Sequence, residues 1–244
     1  MPPETRRFPD PSLPRVDGRR ALVTGANRGL GRAVALGLAR LGARVIVGAR
    51  SAAASDTVVT ELRGEGLAAE RLVLDVADDA SVARAAELVR SVDVLVNNAA
   101  ILPDDGVFGL DVPLDIVRRT LEVNTLGPIA LMQLAAPAMR ARGWGRIVNV
   151  SSDWGSMELM ASRQLAYRVS KVALNAATRI VADEVRGHGV LVNAVHPGWV
   201  RTEMGGPDAV REPGDAADTL LWLATLPDDG PTDRFFHDRA PHPW

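Results

Sequence analysis

The 244-residue chain contains no cysteine. Disulfides, thiolate nucleophiles and zinc–thiolate centres are therefore excluded. Its four histidines, His188, His196, His237 and His242, include no pair at the spacing that places two ligands on one helical face, and no metal site is expected. No apolar run approaches the ~20 residues of a membrane span, and the amino terminus lacks the hydrophobic stretch of a signal peptide. The expected location is cytoplasmic, with no membrane partner. A formal net charge of −2 gives no reason to expect nucleic acid. The chain is also poor in two functional side chains. It has one tyrosine, Tyr167, and one lysine, Lys171, all other basic residues being arginine.

What is present starts with that pair. Its four-residue spacing would arise by chance about once in 240 placements in a chain of this length. Four residues is one helical turn, so on a helix the two side chains share a face. Val172, Ala173, Leu174, Ala176, Ala177, Ile180 and Val181 follow without glycine or proline, as a helix requires. A cation beside a phenol favours the phenolate and brings its pKa nearer neutrality, making a poised proton donor and acceptor. A tyrosine and a solvated lysine at a helix edge have the same spacing, so the pair needs context.

With 47% hydrophobic and 24% charged residues, the chain can bury a substantial core. Residues 1–18 hold five prolines and little apolar periodicity, and they are expected to form an irregular arm. From residue 19 apolar runs alternate with helical patterns. Strands are expected at 21–23, 44–48, 72–75, 92–96, 146–150 and 190–195, with a short one at Phe235-Phe236. Helices are expected after Gly29, across 57–63, 81–90, 115–142 with a break near Gly127-Pro128, after Leu165, and over 220–226. Fully apolar strands alternating with helices imply an α/β fold. The expectation is one domain over 19–244, a doubly wound parallel sheet of Rossmann type with helices on both faces. Polar motifs fall at the carboxyl ends of strands, where such sheets bind ligands: Gly25–Gly31, Asn97-Asn98, Ser151-Ser152 and Pro197-Gly198.

Together these motifs resemble the short-chain dehydrogenase/reductase family, from about residue 19 to about 226, with an ending similar to its carbonyl-reductase-like branch. Thr24-Gly25-x-x-x-Gly29-x-Gly31 resembles the cofactor turn, Asn97-Asn98-Ala99 the strand-end motif, and Ser152 with Tyr167-x-x-x-Lys171 the catalytic set. The resemblance implies hydride transfer between a nicotinamide and a carbonyl or alcohol. Ser152 would donate to the carbonyl oxygen and Tyr167 would deliver the proton. Lys171 would lower the tyrosine pKa and hold the ribose, and Asn124 would hold a water linking Lys171 to solvent. It also places Asn27, Leu30, Val76, Ala99, Pro197, Gly198, Val200 and Thr202 at the cofactor, with Asp75 and Asn97 on the adenosine side. Two departures stand out. Ala100 replaces a glycine, and Ser152 and Tyr167 are 15 residues apart where many members have 13, enlarging the loop 153–164.

The second strand ends in Val47-Gly48-Ala49-Arg50 with no acidic residue for an NAD ribose. Arg28 and Arg50 could clasp the 2′-phosphate of NADP bidentately, so NADP(H) is favoured over NAD(H). Trp154, Met157, Trp199 and Met204 are the candidate substrate residues and suit a hydrophobic ketone or aldehyde. The segment after the sixth strand resembles a lid. A 3-oxoacyl-carrier-protein-type reductase and a non-catalytic nucleotide sensor are the alternatives. Family habit implies a homodimer or homotetramer.

Overall fold

The structure, a computed structural model, describes residues 8–244. The first half of the chain runs β1 (Arg20–Thr24), α1 (Gly29–Arg40), β2 (Arg44–Ala49), α2 (Ala52–Gly64), β3 (Ala69–Val73), α3 (Asp79–Arg90), β4 (Val94–Asn97) and α4 (Leu114–Leu121). The second half runs α5 (Gly127–Arg142), β5 (Gly145–Val150), α6 (Leu165–Glu184), β6 (Val190–Val195), α7 (Pro213–Ala224), β7 (Arg234–His237) and β8 (Ala240–Pro241). The strands form one sheet in the order β3-β2-β1-β4-β5-β6-β7-β8, parallel except for the last pairing. This is the doubly wound, single-domain sheet that the alternation implied.

The central strands are buried on both faces, which is why they read as continuous apolar runs. One face packs against α1 and α7 through Val34, Leu38, Leu220 and Leu221. The other packs against α3 and α5 through Val82, Val89, Leu131, Met132 and Met139. Residues 8–18 contain no helix or strand, yet Leu13 and Val16 are buried in the first core. Val16 and Gly18 donate their amides to Leu41 and Gly42 at the end of α1. The remainder of the expected arm, residues 1–7, lies outside the described residues.

Several elements differ from expectation: α7 begins at Pro213 where only 220–226 was expected, and β4 covers Val94–Asn97 against 92–96. β3 sits three residues earlier than 72–75, because the edge strand has a half-exposed pattern while the apolar Leu74 and Val76 pack just beyond it. The expected break near Gly127-Pro128 is a π-helical turn over Glu122–Leu126, leading directly into α5. Pro128 has no N–H to close an α-helical bond onto Asn124, which accounts for the wider turn there. The short antiparallel β8 was not expected. Two residues with a proline give no periodic signal.

Candidate active site

The glycine turn joins β1 to α1. Gly25 and Gly29 have positive φ of 63° and 52°, which side chains rarely adopt. A Cβ on Gly31 would lie 2.4 Å from the Gly25 carbonyl and 2.5 Å from Asn98 Nδ2, so this position requires glycine. Thr24 Oγ1 accepts the amides of Asn98 and Ala99, both at 3.0 Å, and Asn98 Nδ2 donates to the Thr24 carbonyl at 2.8 Å. The ends of β1 and β4 are thereby clasped together. Arg28, at the N-cap position of α1, makes no side-chain cap bond, leaving the first-turn amides available to an anion. This cradle fits a dinucleotide phosphate.

The structure corrects the placement of Asn97. Its side chain is buried and donates to Asn149 Oδ1 at 2.8 Å inside the sheet, and it is Asn98 that reaches the glycine turn. The alternation of side chains along β4 causes the swap. Asp75 Oδ1 caps the Ala77 amide at 3.0 Å, and the Val76 carbonyl lies 2.6 Å from where a Cβ on Gly127 would be. Arg50 is exposed, while Arg28 pairs with Glu203 in the segment after β6. Thr202 rests on the same turn, its methyl 2.9 Å from the Gly29 Cβ position. Gly198 has φ of 83°, its amide donating to His196 Nδ1 at 3.4 Å, and Val200 is buried. Pro197 and Asn27 are half-buried, and Leu30 belongs to the first core.

Ser152 leaves the end of β5, and Tyr167 and Lys171 share one face of α6, all three buried. Tyr167 hydrogen-bonds Ser152. Lys171 Nζ lies 5.4 Å from the centroid of the Tyr167 ring and donates to the Val150 carbonyl at 2.7 Å. Burial pushes the Tyr167 hydroxyl above the ordinary tyrosine range; the Ser152 hydrogen bond opposes this and the Asp153 carboxylate adds to it. Burial pushes Lys171 down to about 7. The expected lowering of the tyrosine by Lys171 is therefore not seen. The ammonium faces the ring and is held by a carbonyl, and desolvation outweighs attraction. Asn124 is engaged within the protein through its side chain. Its amide bonds both backbone groups of Ile101 and donates to Ser170 Oγ, stapling the β4 loop to α6.

The loop 153–164 contains two single-turn 3₁₀ helices, Asp153–Gly155 and Met157–Leu159. Trp154 stands edge-on to Tyr167, ring centroids 5.9 Å apart, with the Arg168 guanidinium 5.0 Å from its own centroid. Arg168 also ties the loop down through the Arg163 and Leu159 carbonyls. Met157, Trp199 and Met204 are exposed, and Trp199 Nε1 donates to the Gly205 carbonyl at 2.8 Å, folding its segment back on itself. Two features escaped the sequence reading. Asp153 accepts from Ser152 Oγ at 3.0 Å. Trp244, stacked on Phe235, accepts from the Met157 amide and Ser156 Oγ through its backbone oxygen. Adjacency to Ser152 is the one sequence signal for the Asp153 contact; nothing in the sequence signals the Trp244 contact.

Comparison with known proteins agrees with this geometry. The family model for short chain dehydrogenases matches residues 19–212. The 3-oxoacyl-[acyl-carrier-protein] reductase FabG of Pseudomonas aeruginosa is 38% identical over 205 residues, 81% of each chain. Carbonyl reductase [NADPH] 1 of Sus scrofa is 32% identical, covering 93% of this chain and 94% of its own. The crystal structure of a metagenomic short-chain oxidoreductase in complex with NADP superposes with a TM-score of 0.76 at 35% identity, covering 88% of this chain and 94% of that one. With its parallel sheet, glycine turn and matched sequence, this chain belongs to the short-chain dehydrogenase/reductase family of oxidoreductases.

Proposed function

We propose that the protein catalyses NADP(H)-dependent reduction of a ketone or aldehyde with an apolar flank, or oxidation of the matching alcohol. The observation that carries this reading is the convergence of Ser152, Tyr167 and Lys171 at the carboxyl end of the sheet, beside a glycine turn that suits a dinucleotide. Bound there, the nicotinamide would supply the hydride. Ser152 Oγ donates to the carbonyl oxygen, where negative charge grows, and Tyr167 gives that oxygen its proton. Burial keeps the Tyr167 proton in place until it is needed. Lys171, pushed down to about 7, exchanges protons near neutrality and can restore the tyrosine.

The first-turn amides of α1 hold the phosphates, and Arg28 and Arg50 the 2′-phosphate. The NADPH-named and NADP-bound relatives support that choice. Trp154, Met157, Trp199 and Met204 wall the substrate. Exposed apolar side chains on or beside the long helices, Leu114, Leu126, Val169 and Ile180, support a homo-oligomer. Among the described residues no helix is long and apolar enough to cross a membrane, and we place the protein in the cytoplasm. The test is oxidation of NADPH and NADH against hydrophobic ketones, aldehydes and quinones. NADPH-dependent turnover is the expected result, and tight cofactor binding without turnover would favour a sensor. A 3-oxoacyl thioester belongs in the panel, because one relative is named for that reaction.

A further inference from the structure

A serine hydroxyl has one proton to donate. Here Ser152 Oγ lies 3.0 Å from Asp153 Oδ1 and donates to it. To polarise a carbonyl, Ser152 must release Asp153. The Trp154 amide, which donates to the same Oδ1 at 2.9 Å, keeps the carboxylate in position when it does. Asp153 Oδ2 has no hydrogen bond among the described residues, and the side chain is 39% exposed. No arginine or lysine pairs with it among those residues. The Arg168 guanidinium is stacked on Trp154 and committed to two carbonyls. His196 Nδ1, 4.0 Å from Oδ1, is engaged by the Gly198 amide.

Beside the reacting carbonyl there is thus a carboxylate that loses a donor at the moment of catalysis. We infer that Asp153 selects carbonyl substrates bearing a hydroxyl on the carbon next to the carbonyl, accepting that hydroxyl's hydrogen bond while Ser152 donates to the carbonyl oxygen. The two oxygens of such a substrate are about one hydrogen-bond length apart, like Ser152 Oγ and Asp153 Oδ1. The substrate hydroxyl replaces the proton that Ser152 withdraws. A plain ketone offers no replacement, and a keto acid brings a second negative charge to the carboxylate. The apolar walls take the remainder of the molecule. This inference rests on the carbonyl-reductase reading and narrows its substrate class.

The test compares phenacyl alcohol, acetophenone and phenylglyoxylate as substrates of the purified protein with NADPH. A neighbouring hydroxyl makes a carbonyl more reactive by itself, so the readout is the change in the kcat/KM ratio between variants. The hydroxyketone-to-ketone ratio is expected to fall about 10- to 100-fold in Asp153→Ala. It should fall less in Asp153→Asn, which keeps an acceptor, and the keto acid should gain relative to acetophenone in both. An unchanged ratio, with all substrates slowed alike, would mean that Asp153 only holds its loop. A keto acid that loses relative to acetophenone in both variants would also overturn the inference. Turnover of no carbonyl by the wild type would instead remove the reductase reading beneath it.

Discussion

Ser152, Tyr167 and Lys171 share a desolvated corner in which each side chain already has a partner. Tyr167→Phe removes one oxygen and leaves the ring against Trp154 and Lys171. Turnover should fall by about 10²- to 10⁴-fold with NADPH affinity little changed, as read by steady-state rates beside cofactor fluorescence titration. Gly31→Ala drives a Cβ into the Gly25 carbonyl. Overpacking of this kind costs about 1–3 kcal/mol, and at this size each kcal/mol lowers Tm by about 2–4 °C. A Tm unchanged by this variant would show that the turn can relax. On the proposed cofactor site, Glu203 would compete with a 2′-phosphate for Arg28, with which it pairs here. The pair is exposed, so Glu203→Gln should tighten NADPH by no more than about fivefold and leave NADH unaffected, measured by titration at low salt.

At the scale of elements, the loop 153–164 is held from three directions, one of them the segment 107–109, whose Gly109 amide donates to the Ser162 carbonyl. Arg168 fastens it to α6, and the last residues of the described chain fasten it to β7. The Trp244 ring stacks on Phe235 and lies under the Arg179 guanidinium. Trp244→Ala should therefore loosen the partner of the Met157 amide. Faster hydrogen exchange at residues 156–159 is expected, with α1 and the central strands unaffected. If exchange does not change, the other ties of the loop, among them Arg168, the Asn175 bond to the Gly155 carbonyl and the Gly109 amide on the Ser162 carbonyl, hold it without Trp244. The π turn before α5 has a local cause in Pro128, and it places Asn124 where its amide can reach Ile101 and Ser170.

For the whole molecule, stability depends on pH through a buried imidazole. Burial pushes His196 down to about 4, against Asp153, which raises it; the neighbouring His237, His242 and Arg211 add to the depression. The folded value lies below the ordinary value of 6.5. The unfolded chain therefore binds the extra proton first as pH falls. The stability tied to His196 is fully present above about 6.5 and is lost on the way down toward about 4. A plot of Tm against pH should slope across that window and flatten in His196→Asn. The same plot for Lys171→Met should lose a rise between about 7 and about 10.5, because Lys171 is folded with its pKa depressed.

Much of the fold was legible because its strands are buried on both faces, which leaves continuous apolar runs, and because glycine and proline punctuate the connections. The Tyr167–Lys171 pair was legible because helical periodicity fixes which residues share a face. The edge strand β3 and the two-residue β8 were misplaced or missed, since a half-exposed or very short strand carries little pattern. The direction of the tyrosine shift could not be read from spacing, because burial belongs to the whole fold. Nor could the exchange of Asn97 for Asn98, or the contacts of Asn124, Asp153 and Trp244, which join residues that only the packed chain brings together. Local order in this protein follows from side-chain pattern along the chain; the electrostatics of its site follow from which groups the tertiary fold removes from water.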